Sequence, residues 1–401
     1  MNRPISLAAS ALLVCLLAAC LPSAAAPAAL PTLAPSPAVT NTIKVITVEP
    51  TLTAIPASPT PENPTPAPTI EPSPTTSVLG FFTFPPDVNP LTGLQVADPA
   101  LVNRMPVMVK ISNYPRYGRP QSGLGSADLV FEYYIGYEVN RFLAIFLSED
   151  PKEAGPIRSG RLVDAQLGMM YPGYLVYGNA DLAVEEHLEK FLDKRLLPTK
   201  LSPCPPVCGD DTHSLAGMFT YPAEVRTYMT EKTGLPNQAP DLRGMIFDTR
   251  LPQSEHPGLV IAINFGVENR GEWHYNRDTG LYQKWIETGE YENDKLVMIP
   301  HVDKLNQKQL EYANVIILFA DYIQYAPTLH DITIWGNTQG QKAVFFRDGV
   351  MTVGSWRTIS QDKPIQFFNQ FNMPYSLKPG RTWIVLASLQ SPLEEPAPGN
   401  F

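Results

Sequence analysis

Between Leu21 and Pro90 the sequence places 17 prolines in 70 residues. Proline fixes φ and offers no N–H, so such a stretch enters neither a helix interior nor the middle of a sheet. From Leu21 to Gly80 there is no aromatic residue, and the charged residues are Lys44, Glu49, Glu62 and Glu71. A segment of this kind buries too little apolar surface to offset its ordering entropy. Residues 20–80 therefore read as a disordered spacer rich in Pro, Thr, Ser and Ala. Repeated Thr-Pro, Ser-Pro and Ala-Pro steps favour polyproline II, and sixty such residues reach at most roughly 190 Å at about 3.1 Å each. Leu91 to Phe401 carries 24 prolines in 311 residues, which is ordinary turn punctuation.

What precedes the spacer reads as an address. Met1-Asn2-Arg3 is a short positive region, and Ile5 to Ala19 is apolar over the length of a signal peptide. It ends in Leu17-Ala18-Ala19-Cys20. Small residues before a cysteine resemble the bacterial lipobox, which implies cleavage before Cys20 and lipidation of its thiol. Residues 1–19 are then a lipoprotein signal peptide, and the expected location is extracytoplasmic, anchored to a bacterial cell membrane through lipid. Cys15 would leave with the signal. Cys204 and Cys208, in Cys-Pro-Pro-Val-Cys, remain as a local disulfide pair in an oxidising compartment. A metal site of Cys204, Cys208 and His213 is conceivable but lacks the second ligand pair usual for zinc, so no metal and no cofactor is expected.

About 310 residues are left to fold, enough for two domains at roughly 150 residues each. The chain is 44% apolar and 17% charged with a net charge of −9, which speaks against nucleic acid as a partner. In the first region, short β-branched runs at Met105–Ile111, Asp128–Ile135, Arg141–Leu147 and Tyr174–Tyr177 read as strands. Ser159–Met170, Leu182–Leu192 and Pro222–Lys232 read as helices, the second with Asp181 as N-cap and the third ending at Gly234. After a Pro-rich boundary at Thr233–Gly258 the helical period disappears. Leu259–Phe265, Trp273–Asn276, Leu281–Ile286, Val315–Phe319, Ile332–Trp335, Lys342–Phe346, Val350–Trp356 and Thr382–Ala387 read as strands. Asp348-Gly349 marks a hairpin. The fold class is α+β: a mixed α/β domain over 81–250, a mostly antiparallel β domain over 251–391, and a flexible tail over 392–401.

Chemistry-bearing residues concentrate in Gly155-Pro156-Ile157-Arg158-Ser159-Gly160-Arg161, followed by Asp164. A helix starting at Ser159 would aim free N–H groups and two arginines at one spot, an anion site. Arg119 sits in a second Gly/Pro turn, Arg141 begins a strand, and Glu132 lies on the strand before it. Together these give a ligand pocket of Arg119, Glu132, Arg141, Arg158, Ser159, Arg161, Asp164 and His213. The same arginines also suit structural salt bridges and carbonyl caps. Tyr133, Tyr134 and Tyr137 would stack sugars or fill core, and His256, His274, His301 and His330 are scattered and read as structural. No Gly-x-Ser-x-Gly elbow, His-Glu-x-x-His, P-loop or dinucleotide fingerprint occurs, so no catalytic motif is recognised.

Asn89-Pro90-Leu91-Thr92-Gly93-Leu94, Arg119-Pro120-Gln121-Ser122-Gly123-Leu124, Arg141-Phe142-Leu143-Ala144 and Gly155-Pro156-Ile157-Arg158-Ser159 resemble the YerB-like bacterial lipoprotein family. So do Trp273-His274-Tyr275, Phe346-Arg347-Asp348-Gly349, Gly354-Ser355-Trp356 and Pro379-Gly380-Arg381-Thr382-Trp383. The resemblance implies paired N- and C-terminal domains of unknown function and no established activity. Two places depart from it. Tyr177-Gly178-Asn179-Ala180-Asp181 replaces a His- or Gly-rich segment, and Thr212-His213-Ser214 replaces a Pro-His-Asn step, with His213 matching the histidine. The resulting reading is a membrane-anchored envelope lipoprotein that binds an anionic ligand or protein partner. The alternatives are an enzyme on an envelope polymer, with Arg158, Arg161, Glu132 and His213 in one cleft, and a transport-associated solute receptor with two similar lobes.

Overall fold

Two apolar layers lie on opposite faces of one large mixed sheet, and they explain why its strands read as apolar runs. The computed structural model describes residues 42–46, 78–80, 83–210, 215–254, 256–266 and 269–394. The signal segment with Cys20, nearly all of the spacer, His213 and residues 395–401 lie outside the described residues.

The twelve-stranded sheet runs, strand by strand, through His256–Pro257, Val350–Arg357, Gln341–Arg347, Asn314–Ala326, Thr382–Ser388, Leu129–Gly136, Val139–Phe146, Val107–Ser112, Tyr174–Tyr177 and Leu196–Pro198. Leu329–Thr333 and Gln366–Asn369 attach beside this path. The join between chain halves is the parallel pairing of Thr382–Ser388 with Leu129–Gly136, Thr382 opposite Leu129 and Leu386 opposite Tyr133. The sheet thus continues across the boundary read near residue 250, because the strand nearest the C-terminus returns to pair with the first half. Both faces are covered, so Thr382–Ser388 is buried at every position, as expected of strands packed on two sides.

One face packs on α1 (Leu162–Met170) and α2 (Leu182–Leu192), with Phe131, Tyr133, Leu143, Ile145, Leu167 and Leu188 in one cluster. The other packs on α3 (Pro222–Thr233) and on a second sheet, with Val130, Phe142, Val225, Ile263, Trp273 and Trp383 together. That second sheet orders Lys295–Pro300, Leu281–Glu292, Asn269–Asn276 and Val260–Gly266 as an antiparallel meander. Burying each large aliphatic or aromatic side chain contributes roughly 1.5–3 kcal/mol, so the double cover is the main source of stability. All α-helices among the described residues end by Thr233, and the molecule is largely β with a mixed sheet.

Three local readings need correction. The Pro-rich spacer contains a strand: Thr42–Ile46 pairs antiparallel with Val260–Gly266 and parallel with Leu393–Glu394. Thr42-Ile43-Lys44-Val45-Ile46 is a proline-free, β-branched run, which is why it suits a sheet edge. Leu393 and Glu394 therefore belong to a sheet and not to the tail expected from residue 392. Helix α1 also begins at Leu162, later than Ser159. Ser159 is held in extended pairing beside Gly178, and the Arg158 N–H donates to the Lys110 carbonyl. Leu182–Leu192 and its Asp181 cap, whose carboxylate accepts from the Ala183 N–H at 3.0 Å, stand as read.

Candidate functional site

Strand alternation sorts the candidate residues into two polar centres. On Leu129–Gly136, Tyr133 faces α1 and lies directly opposite Arg141 of the neighbouring strand, while Glu132 faces the other way, opposite Phe142. Lys110, from Val107–Ser112, shares the face of Tyr133 and Arg141 because it pairs with Leu143, two residues from Arg141. This follows from the period of two in a strand.

The first centre lies under the start of α1. Lys110 is fully buried; its Nζ donates to Tyr133 and sits 3.2 Å from Asp164 Oδ1. Tyr133 in turn donates to the same carboxylate oxygen. Asp164 Oδ2 accepts from the Arg161 N–H at 2.7 Å, so this carboxylate also closes the first turn of the helix. Above this triad the Ser159 carbonyl accepts from Arg141 Nη1 at 2.8 Å and from Arg161 Nη1 at 3.4 Å, and Arg161 Nη1 also reaches the Gly160 carbonyl at 2.7 Å. Among the described residues neither Arg141 nor Arg161 has a carboxylate within ion-pair distance, and Arg161 Nε is buried with no hydrogen-bond partner. His330, only 3% exposed, lies edge-on to Tyr134, and neither ring nitrogen has a partner among the described residues.

The electrostatics follow from that crowding. Burial, then Arg161 and Arg158, pushes the Arg141 guanidinium well below its ordinary range. An arginine side chain stays protonated in practice, so the shift measures how costly this charge is to hold. Burial brings the Lys110 ammonium down to about 7, with Arg141 and Arg161 adding to the shift and Asp164 opposing it. Burial and then Arg161 lower His330 to about 4, leaving it neutral near pH 7. Among the described residues, Arg141 and Arg161 lie here without an ion-paired carboxylate, at the C-terminal ends of the parallel strands Val107–Ser112 and Tyr174–Tyr177, the end where open α/β sheets take ligands.

The second centre lies between the two sheets. Glu132 Oε2 accepts from Trp383 Nε1 at 2.6 Å and lies 3.5 Å from Lys284 Nζ; Asn140 donates to its other oxygen. Lys284 Nζ sits over Trp273 at 3.6 Å and Trp383 at 4.3 Å from the ring centroids. Burial brings this ammonium down to about 8 against the pull of Glu132. Nearby, Glu287 receives Arg116 Nε at 2.7 Å and Arg119 Nη2 at 2.8 Å. His301 Nε2 lies 2.7 Å from Gln121 Oε1.

Of the residues expected to share one pocket, Arg141, Arg158, Ser159, Arg161 and Asp164 come together. Arg119 and Glu132 lie on the opposite face of the sheet, and the cleft imagined for an enzyme loses Glu132 for that reason. His213 lies outside the described residues. Cys204 and Cys208 are joined in a disulfide, and no cluster of three metal-ligating side chains occurs among the described residues. Lys110, Lys284 and Glu287 are not singled out from sequence, and His330 is read there only as structural. For Lys110 a signal existed: one lysine inside Val107-Met108-Val109-Lys110-Ile111.

Family comparison now has a geometry to attach to. The family described as Protein of unknown function (DUF3048) matches with its N-terminal domain over residues 91–203 and its C-terminal domain over residues 261–384. The chain belongs to the DUF3048 family. YerB, a candidate lipoprotein of Bacillus subtilis (strain 168), is 24% identical over 308 residues, which is 74% of this chain and 84% of that protein. The crystal structure of YerB from Bacillus subtilis has a TM-score of 0.61 at 21% identity and covers 76% of this chain and 97% of its own, a shared fold. Both polar centres draw on both DUF3048 domains: His330 of the second joins Arg161 of the first, and Lys284 and Trp383 of the second join Glu132 of the first. Among the described residues no helix is long and apolar enough to cross a membrane.

Proposed function

We propose that this protein is an envelope lipoprotein, tethered through Cys20, that binds an anionic ligand at Arg141, Arg158 and Arg161. The observation that carries the reading is the convergence of Arg141 and Arg161 on the Ser159 carbonyl with no ion-pair partner among the described residues, beside His330, whose ring nitrogens likewise have none among them. Like charges held this close raise one another's cost, and an arriving carboxylate or phosphate relieves it. The same anion takes bidentate hydrogen bonds from guanidinium groups. Lys110, Tyr133 and Asp164 form the floor that fixes α1 and the arginines in place. The lipid anchor is supported by the Leu17-Ala18-Ala19-Cys20 sequence and by the lipoprotein relative. The α-helices of the described residues all precede residue 234, so two similar lobes about a hinge, as in a solute receptor, find no support.

The test is calorimetric titration of the full chain with inorganic phosphate, polyphosphate and polyglutamate at low and high salt. Saturable, salt-sensitive binding that disappears in the Arg158→Ala, Arg161→Ala double variant is expected. Equal binding by that variant, with its fold intact by circular dichroism, removes the arginines from the site.

A further inference from the structure

On the opposite face from the arginine cluster, a cavity of about 450 Å³ is lined by Tyr114, Arg116, Arg119, Tyr137, Glu138 and Glu287, among others. Two of its walls are exposed rings: Tyr114 is 48% and Tyr137 71% exposed. Its floor is an Arg116–Glu287–Arg119 arrangement held at 2.7 and 2.8 Å. Arg119 has five N–H donors. Three of them go to the Asn113 carbonyl, the Glu287 carbonyl and the Glu287 carboxylate, so two have no acceptor among the described residues. A second cavity of about 280 Å³ shares Arg116, Arg119 and Glu287 and extends the groove towards His301. His301 is buried, and its Nδ1 has no hydrogen-bond partner among the described residues.

The backbone gives an independent pointer. Tyr137 and Glu138 form the two-residue tip of the hairpin between Leu129–Gly136 and Val139–Phe146, with φ of 49° and 57°. A tip with both φ positive favours Asn or Gly, and a bulky side chain there is strained. Strain of this kind is retained where the side chain has a task. Here both strained residues line the same cavity.

We infer that this groove binds a linear, uncharged oligosaccharide. A sugar ring has an apolar C–H face, which stacks on the electron-rich face of a tyrosine, and a rim of hydroxyls, which pair with planar guanidinium, carboxylate and amide groups. Among the described lining residues the two arginines, Arg116 and Arg119, are equalled in number by two carboxylates, Glu287 and Glu138, so the groove does not select an anion. Tandem cavities that share one polar floor suit a chain of sugar units. This site is separate from the anion site and does not rest on it.

The test titrates the full chain with cellotetraose, maltotetraose, mannotetraose and chitotetraose, read by calorimetry and saturation-transfer NMR. At least one sugar binds saturably, with transfer to tyrosine protons. Tyr137→Gly relieves the backbone strain and keeps the fold while deleting the ring, so affinity falls by about tenfold. Tyr114→Ala acts in the same direction. The Arg158→Ala, Arg161→Ala double variant binds the sugar as the parent does. Failure of all four sugars to saturate overturns the inference. So does unchanged affinity in Tyr137→Gly, or loss of sugar binding in the arginine double variant.

Discussion

Glu132 and Tyr133 are consecutive in the chain and serve opposite faces of the sheet. Glu132 accepts from Trp383 Nε1 at 2.6 Å between the two sheets, whereas Tyr133 donates to Asp164 under α1. Neighbours in sequence thus belong to two polar centres separated by the sheet's own thickness, and the centres should respond independently to substitution.

Glu132→Gln tests that separation. It leaves Lys284 buried between Trp273 and Trp383 without its carboxylate. Breaking a buried pair from one side costs about 3–5 kcal/mol. Urea unfolding should show a loss of that size, with anion binding to the arginine cluster unchanged in the folded protein.

Asp164→Asn should cost a similar amount, because the carboxylate serves Lys110, Tyr133 and the Arg161 N–H together. The paired change Lys110→Met with Asp164→Leu removes both charges and should recover at least half of the loss. A double-mutant cycle by chemical denaturation checks this.

Acid should weaken the fold in a defined window. His330 is held down at about 4, from an ordinary 6.5, by burial and then Arg161. Between those values the unfolded chain takes up a proton that the folded chain refuses. Stability is therefore greatest above pH 6.5 and falls as pH drops towards 4. His330→Gln should flatten part of that slope in denaturation midpoints measured across the window. An unchanged slope assigns it to other groups.

The Cys204–Cys208 disulfide closes a very short loop, so its stabilisation is modest. Loop-closure entropy gives about 2 kcal/mol. Replacing both cysteines by serine should lower the thermal midpoint slightly and leave binding by the arginine cluster intact, as read by melting and titration with polyphosphate.

Local elements were legible in the sequence because they depend on neighbours. Asp181 caps α2, Gly234 ends α3, and Asp348-Gly349 turns a hairpin, each through chemistry within a few residues. The arginine cluster was legible in part for the same reason: Arg158, Ser159, Arg161 and Asp164 are close along the chain. Which face Glu132 takes depends on register across the sheet, and register is set by packing on both faces, while Arg119 is placed by the turn Arg116–Gly118 and its bonds to Glu287. His330 and Lys284 reach their centres only through strands paired across the whole fold, so no nearby residue announces them. The start of α1 was misplaced because Ser159 is held extended by a bridge to Gly178, just past Tyr174–Tyr177, a tertiary effect that local propensity does not carry.

The parallel pairing of Thr382–Ser388 with Leu129–Gly136 also has a consequence in time. The earlier strand emerges, from ribosome or from membrane, long before the later one, with more than half the chain still to come. Until Thr382 emerges, Leu129–Gly136 carries an open, apolar edge with unpaired backbone groups, the kind of surface that recruits other strands. Any nascent or truncated chain ending before Thr382 is therefore a hazard to its neighbours, and it has to be shielded until the C-terminal strand arrives to close the sheet.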